Sequence, residues 1–158
     1  MRHQKIISRF LSSHTPYNQL LLFHFMGTGK TCSTIGAIEQ IKNENSSFKG
    51  AMILARGEGI LNNFMNELVH ECTKGQYKPE GFDRLTELEK IHRMKKMIRE
   101  YYDLRTFETF ASTISKLSNN EIANRYSNHI IVIDEVHNIR PRDRDWGTFQ
   151  MCEDHSIL

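Results

Sequence analysis

The chain has 158 residues, of which 39% are hydrophobic and 25% charged, enough to bury one sizeable core and ordinary for a soluble globular domain. A net charge of +2 and a pI near 8.4 are too mild to mark a nucleic-acid binder, whose footprint is a basic stripe, so charge leaves the partner open. Cys32, Cys72 and Cys152 stand far apart with neither a CxxC pair nor zinc-type spacing, which predicts free thiols and an intracellular setting; no stretch approaches the ~18 apolar residues of a membrane span or the pattern of a secretion signal.

Along the chain, IISRFL predicts a first helix and SSHTPYN a turn, followed by LLLFHF, an apolar run of strand length. The loop MGTG leads into a helix from Lys30 to about Ile41, with Ile35, Ile38 and Ile41 at helical spacing, and KNENSS ends it before the strand AMILA. ILNNFMNELVHEC puts Ile60, Leu61, Phe64, Met65, Leu68 and Val69 on one helical face, and TKGQYKPEGFDR reads as a loop. In LTELEKIHRMKKMIREYY, Leu88, Ile91, Met94 or Met97, Ile98 and Tyr101 form an inward stripe. DLRTFETFAS predicts a short strand running into a helix that NNEIANRY extends, and HIIVIDE is the last strand. Short apolar runs alternating with amphipathic helices predict an α/β fold, a parallel sheet covered on both faces.

FHFMGTGKTCSTI carries the chemistry of a phosphate cradle. Gly27 and Gly29, flanking Thr28, lack a Cβ and let backbone N–H groups close around an anion; Lys30 supplies a point charge. Thr31 can offer its hydroxyl to Mg2+, and the helix start adds its dipole. In the P-loop pattern GxxxxGK[ST] the first glycine falls on His24, a departure that leaves open a glycine-rich turn merely capping a helix. Far downstream, IIVIDEVHN places two adjacent carboxylates at the end of an apolar strand, where open parallel sheets bind ligands. Asp134 is suited to hold the metal and Glu135 to polarise the water that attacks the γ-phosphate of ATP; the plainer reading is a solvated strand end.

GTGKT followed by DEVH resembles the first RecA-like lobe of superfamily 2 helicases and translocases. Arg2, His3 and Gln4 resemble the upstream motif whose glutamine reads adenine, AMILARGEGILNNFMNEL the motif that would bring Arg56 to nucleic acid, and TFETFA the segment before DExH. Taken with IDEVHNIR, these pieces look like ATPases of large DNA viruses such as poxvirus early transcription factor and its relatives. The resemblance implies a three-layer P-loop NTPase domain with a mainly parallel sheet, incomplete here because the family's strand between the P-loop and DExH strands follows DExH. It implies ATP and Mg2+ as cofactors, nucleic acid (DNA or RNA) as partner, an intracellular site (virion or host cytoplasm for a viral protein), and a second RecA-like lobe supplying arginines. Residues 1–140 would form the lobe and 141–158 a polar continuation of it. The alternatives are a truncated nucleotide-binding or interaction module without turnover and, a poorer fit to DEVH, a small-molecule phosphotransferase. His137 could couple the nucleotide and nucleic-acid sites or be an ordinary loop histidine, while His92, Lys95, Lys96 and Arg99 read as a solvated face.

Overall fold

The computed structural model describes residues 2–12, 14–23 and 28–139, with the side chains of residues 2–4 and 138 outside that set. His24, Gly27, Trp146, Cys152 and the whole 141–158 tail therefore lie outside the described residues. Helix α1 (Arg2–Phe10) and helix α2 (Lys30–Glu44) precede strand β1 (Gly50–Ala55). Helix α3 (Glu58–Glu67) runs on into a π turn, Leu68–Cys72, and after a short 3-10 turn at Phe82–Arg84 comes helix α4 (Glu87–Arg99). Strand β2 (Tyr102–Thr106), helices α5 (Phe107–Ile114) and α6 (Asn119–Tyr126), strand β3 (His129–Ile133) and a 3-10 turn at Val136–Ile139 complete the order.

The sheet is parallel in the order β2-β1-β3, with Ala51 opposite Tyr102 on one side and Ile130 on the other. Because β1 lies in the middle, all six of its residues are buried, which is why its sequence reads as an unbroken apolar run. Ala51, Ile53 and Ala55 face Ile35 and Ile38 of α2, Leu61 and Phe64 of α3, Leu68 and Val69 of the π turn, and Met94 and Ile98 of α4. Full burial of a side chain such as Ile35 or Ile38 contributes about 1.5–3 kcal/mol. The opposite face, with Met52 and Leu54, is covered by α5, whose Thr113 accepts a 3.2 Å hydrogen bond from Arg105 of β2. The expected α/β class and small parallel sheet are thus observed.

Several local expectations are corrected. LLLFHF forms no strand over residues 20–23, the part described, where Leu21 and Phe23 stand exposed instead of lying in the sheet. NNEIANRY does not extend α5, because Ser118 starts a new helix with a reciprocal capping box to Glu121. On α4 the inward stripe is narrower than expected: Met94 and Ile98 are buried while Leu88 and Ile91 are exposed, as is Ile60 on α3. The largest correction concerns the thiols. Cys32 and Cys72 form a disulfide across 40 residues, since the first turn of α2 packs against the π turn and brings the two Cα atoms within 5.1 Å.

One polar cluster ties α2 to the rest of the core. Glu39, between Ile38 and Gln40, accepts hydrogen bonds from Tyr77 Oη (2.5 Å), Tyr102 Oη (2.6 Å) and Lys42 Nζ (3.0 Å). The Lys42 ammonium also lies 4.2 Å from the Tyr101 ring centre. Burial pushes the Glu39 carboxyl up, but the hydrogen bonds from Tyr102, Tyr77 and Lys42 outweigh it and hold the group below the usual glutamate range. Burial, and then the bond to Glu39, push both tyrosine hydroxyls well above their ordinary value.

Candidate functional site

The phosphate-loop residues that are described sit at one end of α2. Gly29 occupies the left-handed region (φ 78°, ψ 36°), which a Cβ would strain, so the glycine is required by the backbone itself. It caps the helix through its carbonyl, which accepts from the Ser33 backbone N–H and from Ser33 Oγ, both at 3.0 Å. Lys30 is the first helical residue and Thr31 the second; both are partly exposed, as is Thr28. Among the described residues no side chain caps this helix start and its first turn holds no acidic residue, so nothing described there opposes an anion at the positive end of the helix dipole.

The orientation of α2 follows from its contacts. Its last turn, at Ile41 and Asn45, lines a cavity of about 350 Å³ together with His129 and Ile130 at the start of β3. Glu39, further back, bonds Tyr102 at the start of β2. Lys30 therefore lies roughly 20 Å along the helix from that edge, toward the carboxyl ends of the strands. The cavity itself is at the opposite, amino edge and is remote from this chemistry. Helix α1 runs alongside α2, with Ser8 Oγ 3.7 Å from where a Cβ on Gly36 would stand and Leu11 beside Ile41 in the cavity wall. The two helices thus run in the same sense, and the backbone of the α1 first turn, which includes Gln4, points toward the α2 first turn; the Gln4 side chain is outside the described set.

Because all three strands are parallel, Arg56 and Asp134, which follow β1 and β3, and Thr106, which ends β2, come to a common carboxyl edge. Asp134 extends the ladder through its N–H to the Leu54 carbonyl (2.9 Å), which fixes its backbone, and its side chain is partly buried. Glu135 then leaves the strand in the left-handed region at φ 53°, a strained position for a side-chain-bearing residue of the kind that concentrates at functional sites. Its carboxylate reaches His137 Nδ1 at 3.2 Å, so DEVH closes on itself as a Glu–His pair facing solvent. Arg56 is exposed at the β1 end. Thr31 and Asp134 are oxygen donors, the ligand type that Mg2+ takes. Sequence reasoning missed the Cys32–Cys72 link one turn into α2 and the carboxylate of Glu67 beside it; the only trace was a cysteine directly after GTGKT.

No described helix is long and apolar enough to cross a membrane. No solved structure matches the chain significantly. Residues 2–155 match the family model described as type III restriction enzyme, res subunit. A Frog virus 3 protein named "Putative helicase 009L" is 45% identical over 139 residues, covering 87% of this chain and 15% of that protein. One from Invertebrate iridescent virus 3, "Putative helicase 087L", is 42% identical over 149 residues, covering 89% of this chain and 15% of its own length. "Putative ATP-dependent RNA helicase R563" of Acanthamoeba polyphaga mimivirus is 28% identical over 147 residues, covering 86% and 24%. The chain thus spans about 15% of the length of the first two of these relatives. The match over nearly every residue, with relatives from large DNA viruses, bears out the resemblance stated above: the chain belongs to the type III restriction enzyme res-subunit family and is a first lobe of the superfamily 2 helicase type.

Proposed function

We propose that this lobe binds ATP with Mg2+ at the carboxyl edge of the sheet and serves a nucleic-acid-dependent ATPase of helicase or translocase type. The observation that carries the reading is the common edge: the Lys30 end of α2 and the Asp134–Glu135 pair after β3 both lie toward it. Gly27, Thr28, Gly29 and Lys30 cradle the phosphates, Thr31 and Asp134 hold the metal, and Gln4 reads adenine. Bound Mg2+ supplies charge neutralisation on the phosphate oxygens. Glu135 orients the attacking water and takes its proton, with His137 fixing the carboxylate from the side.

Arg56 contacts a nucleic-acid backbone at the same edge, and a second RecA-like lobe completes the site with cations for the transferring phosphoryl group. Such cations are worth roughly 10³ to 10⁵ in rate, so this chain alone turns ATP over near background. A transcription-related role is the finer reading, supported by the MGTGKTCSTI, TFETFA and IDEVHNIR segments. Calorimetric titration of ATP-Mg2+ into wild type and Lys30→Ala tests the core of the proposal. Loss of a charge-assisted phosphate contact costs about 1.5–3 kcal/mol, a ten- to 150-fold weaker Kd. Equal affinities in two folded proteins would overturn it.

A further inference from the structure

The phosphate-loop helix carries a group for which the nucleotide reading has no use. Cys32, two residues after Lys30, is bonded to Cys72, the last residue of the π turn. The carboxylate of Glu67, the last residue of α3, stands beside them, and one oxygen of it and the two sulfurs all lie within 4.8 Å of one another. All three residues are partly exposed, so the cluster is open to small solutes. Two sulfurs and a carboxylate oxygen are a donor set for a thiophilic divalent cation, and a tetrahedral zinc with bonds of about 2.3 Å to sulfur and 2.0–2.2 Å to oxygen spaces such donors roughly 3.5–3.8 Å apart. The carboxylate oxygen already lies within 4.8 Å of both sulfurs, so the set needs only the sulfurs to part on reduction to reach that spacing. Their backbones come from α2, α3 and the π turn, which pack on one core, so the set is held without any loop having to fold around the ion.

We propose that Cys32, Glu67 and Cys72 form a redox-gated site for one zinc-like cation, closed when the sulfurs are joined and opened by reduction. A dithiol donates two electrons and two protons to the Cys32–Cys72 bond, giving two thiols and leaving the dithiol as its own disulfide. Cation binding then displaces the two thiol protons, which makes uptake weaken as pH falls. Three protein ligands leave a fourth position for water.

The test is a cobalt(II) titration of the full chain carrying Cys152→Ser, which removes the remaining thiol, in dithiol-reduced and in oxidised form. The reduced protein should take one equivalent with a thiolate-to-cobalt charge-transfer absorption that zinc abolishes, and the oxidised protein none. Cys32→Ser and Cys72→Ser should each lose the band. Losing a partner that merely orients a ligand already costs 10- to 100-fold, so Glu67→Gln should weaken binding by more than about tenfold in a protein of unchanged circular dichroism. No band in the folded, reduced chain, binding by the oxidised chain, or full affinity in Glu67→Gln would overturn the site.

Discussion

Tyr102→Phe removes a single oxygen from the fold and isolates the worth of the Glu39 cluster. Tyr102 is 1% exposed and donates to the Glu39 carboxylate at 2.6 Å; the ring stays in the variant, so its packing against Phe64 and Tyr77 is kept. A hydrogen bond to a charged acceptor contributes about 1.5–3 kcal/mol, and Glu39 retains Tyr77 and Lys42, which places the loss toward the lower half. With a urea m-value of about 2 kcal/mol/M, the unfolding midpoint should fall by roughly 1 M at neutral pH. The sign with pH is fixed by the direction of the shift. Glu39 is held below its ordinary value of 4.5, so its contribution is present above that value and is lost as pH falls through the lower, folded one. Once the carboxyl is protonated the bond is neutral and worth about 0.5–1.5 kcal/mol, so the gap between wild type and variant should narrow in acid. Urea melts at neutral and acid pH measure both. A gap under about 0.5 kcal/mol at neutral pH, or one that does not change with pH, would refute the account of the cluster.

On the proposed reading, Glu135→Gln should leave ATP-Mg2+ affinity within about twofold while abolishing nucleic-acid-stimulated phosphate release in a fusion to a second RecA-like lobe, read by pairing calorimetry with a phosphate-release assay. Gly29→Ala should cost about 1–2 kcal/mol in a urea melt, because its backbone is left-handed at φ 78°, and unchanged stability would show that the turn relaxes. Tyr77 and Tyr102 are both raised above their ordinary value of 10.0, so the stability they supply is complete below pH 10 and lost above it. Circular dichroism followed through that range should show alkaline unfolding coincident with tyrosine ionisation. The chain alone should bind single strands with a shallow dependence on salt, since few phosphates are contacted, and anisotropy across a salt series measures the slope.

What the sequence made legible follows from how local each cause is. GTGKT at the start of a helix, and apolar runs ending at Ala55 and Asp134, depend on neighbours in the chain, and the helix and strands lie where those patterns put them. Ser118 and Glu121 also formed a readable capping box, overlooked because the residues around them looked like one continuous helix. The Cys32–Cys72 link was not readable, because forty residues of spacing say nothing about which turns of two elements meet. Nor was Tyr77, which sits in a polar loop yet is 3% exposed, since its burial is decided by Glu39 on a different element. The left-handed backbone of Glu135 is likewise a property of how the chain leaves the sheet, with no residue-type signature to announce it.

The outer side of β3 has a consequence for how the chain behaves in solution. Ile131 and Ile133 are 50% and 42% exposed on one face, and no described strand pairs with that edge, so it offers both backbone donors and an apolar surface to whatever arrives. Such an edge is a template for strand addition by another copy, and little charge guards it, since the strand itself is His-Ile-Ile-Val-Ile. Strand addition by a second copy at this rim would raise the apparent mass with concentration, and Ile131→Lys should suppress that rise while leaving the carboxyl edge untouched.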